Sequence, residues 1–156
     1  RKVIATEYHV HSNHNPWPQR AIRDERFKLI FNPLSGQVNP GHDFTMSKKF
    51  LATSELELMD SASEQVRQAY KISKRPPLYE LYDLESDPYE FKNLANDSKY
   101  SEQLNKLKQL LIDWQKASDD PLISQKSSKR LFDEIMSAGT KERKKINYKS
   151  IIGIKP

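Results

Sequence analysis

The chain has 156 residues, 36% of them hydrophobic and 30% charged, and it contains no cysteine. Disulfides, thiolate metal sites and a cysteine nucleophile are therefore excluded within it. Its formal charge of +5 is uneven: residues 126–156 hold nine Lys or Arg against three acids, so the remaining body is close to neutral.

This length suits one domain, or one large piece of something bigger. Mean hydropathy is low, at -0.84. A modest core with long polar connections is expected, but aromatics and periodic segments are too frequent for a disordered chain. No apolar run approaches the roughly 18–20 residues that a membrane-crossing helix needs. The chain opens Arg1-Lys2-Val3 without an initiator methionine, so we expect a piece of a longer polypeptide, and no leader can be read from it.

Residues 3–10, VIATEYHV, alternate and are β-branched or aromatic, which predicts a strand. Residues 12–18, SNHNPWP, carry two prolines and read as a turn. Residues 19–24 and 27–32 predict a hairpin, with Asp24-Glu25-Arg26 as its turn and Phe27, Leu29 and Phe31 on one face. Pro33, Gly36, Pro40 and Gly41 mark residues 32–45 as a loop. Helices are expected over 46–59 and 61–71, the second capped by Ser61 or Ser63 and ended by Lys74-Arg75-Pro76-Pro77. Residues 78–84 predict another strand.

The clearest helix spans 99–117. Tyr100, Leu104, Leu107, Leu111 and Trp114 recur at steps of four, three, four and three, a single apolar stripe. Asp97 or Ser98 can cap its start. The helix is expected to pack on one face of the sheet, with Asp119-Asp120-Pro121 as a turn beyond its end. Further on, Leu131, Phe132, Ile135 and Met136 can line one more short helix, ended by Gly139.

His9, His11 and His14 form an H-x-H-x-x-H run. Three readings stay open for it: a polar strand end, donors lining an anionic substrate pocket, or a zinc site. Arg20 follows Trp17-Pro18-Gln19 closely enough to join the histidines around one anion, since guanidinium offers a planar fork to oxygen pairs. Arg23 is read as a surface ion pair with Asp24 or Glu25. The run Lys141-Glu142-Arg143-Lys144-Lys145 is read as a solvated basic segment; with Tyr148 its one nearby aromatic, it gives no stacking platform for single-stranded nucleic acid. No phosphate-cradling glycine loop and no G-x-S-x-G elbow occur.

The order Glu80-Leu81-Tyr82-Asp83-Leu84, then Asp87-Pro88-Tyr89-Glu90-Phe91-Lys92-Asn93-Leu94-Ala95, then the helix to Trp114 resembles the C-terminal part of type I sulfatases. His11, Trp17-Pro18-Gln19-Arg20, Arg26-Phe27-Lys28-Leu29-Ile30, and Trp114-Gln115 followed by Asp120-Pro121 resemble heparan N-sulfatases (N-sulfoglucosamine sulfohydrolases). The resemblance spans residues 5–122 and leaves 123–156 as a basic C-terminal extension.

That resemblance implies an α+β fold, a small four-stranded antiparallel sheet with a long C-terminal helix packed on it. This is the C-terminal subdomain of the alkaline-phosphatase-like sulfatase fold. It implies a hydrolase of sulfuric esters or sulfamates, acting on sulfated glycosaminoglycan sugars. The family's calcium ion and formylglycine nucleophile belong to a larger N-terminal catalytic part, the expected partner of this chain. No C/S-x-P-x-R signature occurs here, so the segment alone is expected to be inactive. By the same resemblance His11 and Arg20 are candidate substrate-binding residues; His14, which has no match in the pattern, joins them as a member of the histidine run, and Ser12 departs from the acidic residue of the pattern. No cofactor, nucleic acid or membrane span is expected for this segment, and the family points to a periplasmic, secreted or lysosomal setting. The alternatives are a superfamily hydrolase of another sulfate ester, or a stand-alone module that binds anionic polysaccharide through the basic tail.

Overall fold

The structure, a computed structural model, describes residues 3–11, 15–46, 55–138 and 151. Strands β1 (Ile4–His11), β2 (Asn15–Arg23) and β3 (Phe27–Phe31) lead into helices α1 (Pro40–Thr45), α2 (Glu55–Ser61) and α3 (Glu64–Lys74). Strand β4 (Tyr79–Asp83), a 3-10 turn (Ser98–Tyr100), α4 (Ser101–Ala117) and α5 (Gln125–Ser137) complete the described elements. The four strands form one sheet in the order β1-β2-β3-β4, and every pairing is antiparallel. The α+β class with a four-stranded antiparallel sheet and a long helix is thus observed.

Register explains the two faces, because residues paired across strands share a face. Ala5, Ile22, Leu29 and Leu81 form one rung across all four strands. Leu107 and Leu111 of α4 cover it, and Leu29, Leu81 and Leu107 are fully buried. The neighbouring rung on the same face is Glu7, Arg20, Phe31 and Tyr79. Helix α4 therefore starts near Phe27, whose ring lies 6.1 Å from that of Tyr100, and ends over Arg20.

The opposite face carries Thr6, Ala21, Ile30 and Glu80 in one rung and Ile4, Arg23, Lys28 and Tyr82 in the next. Part of α3 lies over Ile30, Glu80 and Tyr82. Toward β1 this face is open, with Ile4 52% and Tyr8 39% exposed.

Local chemistry sets the ends of the elements. Ser63 caps α3 by accepting from the Val66 N–H at 3.3 Å. Asp97 caps the 3-10 turn that leads into α4, accepting from Lys99 N–H at 3.0 Å. Asp24 builds the β2–β3 turn by accepting from the N–H groups of Arg26 and Phe27 at 3.0 and 2.7 Å. Asp119 has φ 49°, the left-handed conformation that ends a helix and reverses the chain.

Three expectations need correction. Residues 12–18 are not all turn, since β2 begins at Asn15 and contains both prolines. Proline removes a ladder donor and survives at sheet edges and bulges. Here β3 pairs only from Arg20 onward, and the β1–β2 register shifts between Tyr8 and Val10. The stretch read as a loop at 32–45 contains α1, with Pro40 at its first position and Asn39 Oδ1 accepting from Gly41 N–H at 2.9 Å. The helix expected at 46–59 appears as α2 from residue 55, and residues 47–54 lie outside the described residues.

Helix α5 carries the expected short stripe. Leu131 and Ile135 are buried with Leu122, and Phe132 meets Trp17 edge-on at 6.3 Å. Gln125 donates to Pro33 O at 3.2 Å. The boundary expected between residues 122 and 123 thus falls beside a cluster that binds α5 to β2. Gly139 and the basic run 141–145 lie outside the described residues.

Candidate functional site

The polar centre of the molecule is built on the rung of Glu7 and Arg20. Apolar neighbours and α4 seal that rung, so the Arg20 side chain is only 1% exposed. A buried guanidinium is tolerated when each of its five N–H groups finds an acceptor. Nε and Nη2 grip Asp120 at 2.8 and 2.6 Å, a bidentate pair. Nη1 donates to Tyr8 O at 3.1 Å and Gln19 O at 2.9 Å. Nη2 also lies 3.0 Å from His9 Nε2. Guanidinium has no acceptor to offer, so the imidazole nitrogen accepts and His9 is neutral there.

Asp120 is equally engaged. Oδ1 also accepts from Leu122 N–H at 3.0 Å, and Oδ2 accepts from Gln115 Nε2 at 2.8 Å. Burial raises the Asp120 pKa, but the bonds from Arg20, Gln115 and Leu122 outweigh it, and the carboxyl titrates below its ordinary range. For His9, burial and then the Arg20 charge lower the pKa, against smaller opposing effects of Glu7 and Asp120. Glu7 lies 3.5 Å from His9 Nε2 and 3.9 Å from Arg20 Nη2.

A second polar cluster lies on the opposite face under α3. Glu80 accepts from Asn32 Nδ2 at 2.6 Å and from the Tyr82 hydroxyl. Asn32 donates to Pro77 O at 2.9 Å and accepts from Gln19 Nε2 at 2.6 Å. Burial and Glu80 push the Tyr82 hydroxyl far up, so it serves as a proton donor and not as a nucleophile. A cavity of about 240 Å³ adjoins this cluster, lined among others by Gln19, Asn39, Ile72 and Glu90. Lys28 closes onto Glu90 at 2.7 Å.

Of the residues singled out in the sequence, Arg20 meets both a histidine and an anion, but the histidine contacts the guanidinium and not the anion. The histidine is His9 and the anion is the chain's own Asp120. His11 ends β1, paired with Asn15. The side chain of His11 and the whole of His14 lie outside the described residues. Arg23 is exposed and reaches Asp24 O at 3.4 Å, with no ion pair to Asp24 or Glu25 found among the described residues. Among the described residues no group of three His, Asp or Glu is placed to hold a metal.

Sequence reasoning did not assign Gln115 and Asp120 to this centre. A signal existed for Gln115, which stands four residues after Leu111 and so on the buried stripe of α4. An amide at that position needs a buried partner, and Asp120 is that partner.

No family model matches the chain. It is similar to an ulvan-active sulfatase of Formosa agariphila, 32% identical over 120 residues, which are 74% of this chain and 22% of that protein. Human N-sulphoglucosamine sulphohydrolase is 28% identical over 126 residues, covering 76% of this chain and 24% of itself. A solved 2-O GAG sulfatase matches with a TM-score of 0.46 and 25% identity, over 77% of this chain and 17% of its own. The chain therefore spans about a quarter or less of the length of these relatives.

Proposed function

We propose that this chain, related to sulfatases over three quarters of its length, forms the C-terminal subdomain of a sulfatase that acts on sulfated saccharides. The observation that carries the reading is the 32% identity over 120 residues to a sulfatase. The names of the relatives, ulvan-active sulfatase and N-sulphoglucosamine sulphohydrolase, support a saccharide as substrate.

In this reading the chain binds and orients and does not itself cleave. Its described carboxylates do not fit a calcium site: the buried Asp120 and Asp83 face arginines, Glu80 faces an amide and a hydroxyl, and no cluster of three exists among the described residues. The chain has no cysteine to become formylglycine and no C/S-x-P-x-R signature around its serines. No chemical step is therefore assigned to either group here. The hairpin β1–β2 supplies pocket wall, with His11 at its outer end as the substrate-facing candidate. The partner is the N-terminal catalytic part of the same protein. The open sheet face bearing Ile4 and Tyr8 supports such a docking, because exposed large apolar side chains on a sheet favour a covering layer.

The test uses the longer polypeptide that contains this chain, assayed for release of sulfate from glucosamine N-sulfate and from sulfated polysaccharide. Hydrolysis is expected there and none from residues 1–156 alone. His11→Ala is expected to lower turnover more than Arg23→Ala. Turnover by the pure 156-residue chain, or equal and negligible effects of both substitutions, would refute the reading.

A further inference from the structure

We propose that Asp120 is a positioning residue, which through Arg20 fixes the outer end of hairpin β1–β2 from Tyr8 to His11. For the consequence on catalysis the inference rests on the functional reading above; for the clamp itself it does not.

Arg20 touches both strands at one point. Tyr8 and Gln19 face each other as the last regular pair before the register shifts. The Arg20 Nη1 group donates to the carbonyls of both, at 3.1 and 2.9 Å. Beyond that pair the ladder is weak. Pro16 and Pro18 have no N–H to give, and between Tyr8↔Gln19 and Val10↔Pro16 the β2 side advances one residue more than β1. The guanidinium thus ties β1 to β2 at this point, while the outer part of β2 is also held by Trp17 against Phe132 of α5.

The guanidinium is held in turn by a residue 100 positions away in sequence. Asp120 reaches it because the left-handed Asp119 folds the chain back under the end of α4. Gln115 and the Leu122 N–H fix the carboxylate from its other side. His9 fills the last donor of Arg20, and among the described residues Glu7 is a second carboxylate near the guanidinium, at 3.9 Å. Removing the Asp120 charge leaves the buried cation only the more distant and exposed Glu7, and a cation so left turns toward that side and water and takes its other bonds with it.

The geometry matters for a pocket wall. A contacting side chain must be held within about 0.5 Å of its productive position. A shift of about 1 Å can cost about 10²-fold in rate.

The experiment compares three variants of the 156-residue chain by amide resonances and hydrogen exchange. In Asp120→Asn and in Arg20→Lys, the amides of Tyr8, His9, Val10 and His11 are expected to shift and exchange faster, while those of Leu29 and Leu81 stay protected. Leu104→Ala, a truncation on α4 away from the clamp, is expected to lower stability and leave residues 8–11 unmoved. Arg20→Lys keeps the charge but loses the fork, and it decides the matter if Asp120→Asn fails to fold. Unmoved amides at 8–11 in the clamp variants, or equal movement in Leu104→Ala, overturn the inference. In the longer polypeptide, Asp120→Asn is expected to lower kcat/KM for glucosamine N-sulfate by up to about 10²-fold, with Leu104→Ala near wild type. A wild-type polypeptide that hydrolyses no sulfate refutes the functional reading, and the amide measurement still decides the clamp.

Discussion

Asn93 offers a direct test of how the sheet is closed at β4. Strand β4 is an edge of the sheet, and an unpaired edge leaves backbone groups in need of partners. Asn93 supplies them with its side chain. Oδ1 accepts from the N–H groups of Leu81 and Ala95, both at 2.9 Å, and Nδ2 reaches Tyr79 O at 3.3 Å. Leu94 N–H then donates to Leu81 O at 2.8 Å and continues the imitation of a fifth strand. In Asn93→Ala the Leu81 N–H, on a residue with no exposed surface, loses its acceptor. A stranded buried donor costs about 1–3 kcal/mol, and the half-buried Ala95 bond adds about 0.5–1.5 kcal/mol. The loss expected is therefore about 2–4 kcal/mol. At this chain length each kcal/mol is worth about 2–4 °C, so Tm should fall by about 5–15 °C. Urea denaturation of the 156-residue chain measures the same quantity directly. Asn93→Asp keeps the accepting oxygen and should lose less than Asn93→Ala. A loss below about 0.5 kcal/mol in the alanine variant, the ordinary range for surface changes, would refute the reasoning, as would an aspartate variant no better than alanine.

Leu107→Ala removes a side chain with no exposed surface from the centre of the α4 seam. It should cost about 2–5 kcal/mol, and a milder effect in urea denaturation would mean that the seam repacks. Stability should also fall on acidification in two windows. The folded-state pKa of His9 is lowered, chiefly by burial and by Arg20. The fold therefore favours the neutral ring, a contribution present above the unfolded value of about 6.5 and lost as pH falls below it. Hydrogen bonds from Arg26 hold Asp83 at about 2, and Asp120 is lowered as well. Their contribution is present above the unfolded value of about 3.9 and is lost as pH falls toward about 2. Melting curves across pH check both windows, and a first window that survives in His9→Gln would assign it to another group.

Strands and the long helix were legible because their signals are periodic and local. Phe27, Leu29 and Phe31 alternate, and the stripe from Tyr100 to Trp114 repeats at helical steps; the sheet and α4 follow from them. The misread segments are those where a local signal has two meanings. Pro16 and Pro18 suggest a turn by their own chemistry, yet β1 supplies a partner strand and the bulge absorbs the missing donors. Pro40 and Gly41 suggest a loop, yet proline at a first helical position after an asparagine cap is also how a short helix begins.

The candidate site was half legible for a related reason. An arginine close to histidines suggested an anion shared between them; Arg20 does hold an anion, Asp120, but His9 binds the guanidinium itself. The origin of the anion could not be read, because nothing local ties position 20 to position 120. Pairing them requires knowing that β2 and α4 lie face to face, that α4 ends over the Arg20 rung, and that Asp119 reverses the chain. Gln115 was the clue within reach, a polar residue at stripe spacing that demands a buried partner. An arginine whose five donors are all engaged inside the fold holds the chain around it, here the carbonyls of Tyr8 and Gln19. Along β1 that backbone runs outward to the strand end at His11, past the register shift that interrupts the β1–β2 ladder between Tyr8 and Val10.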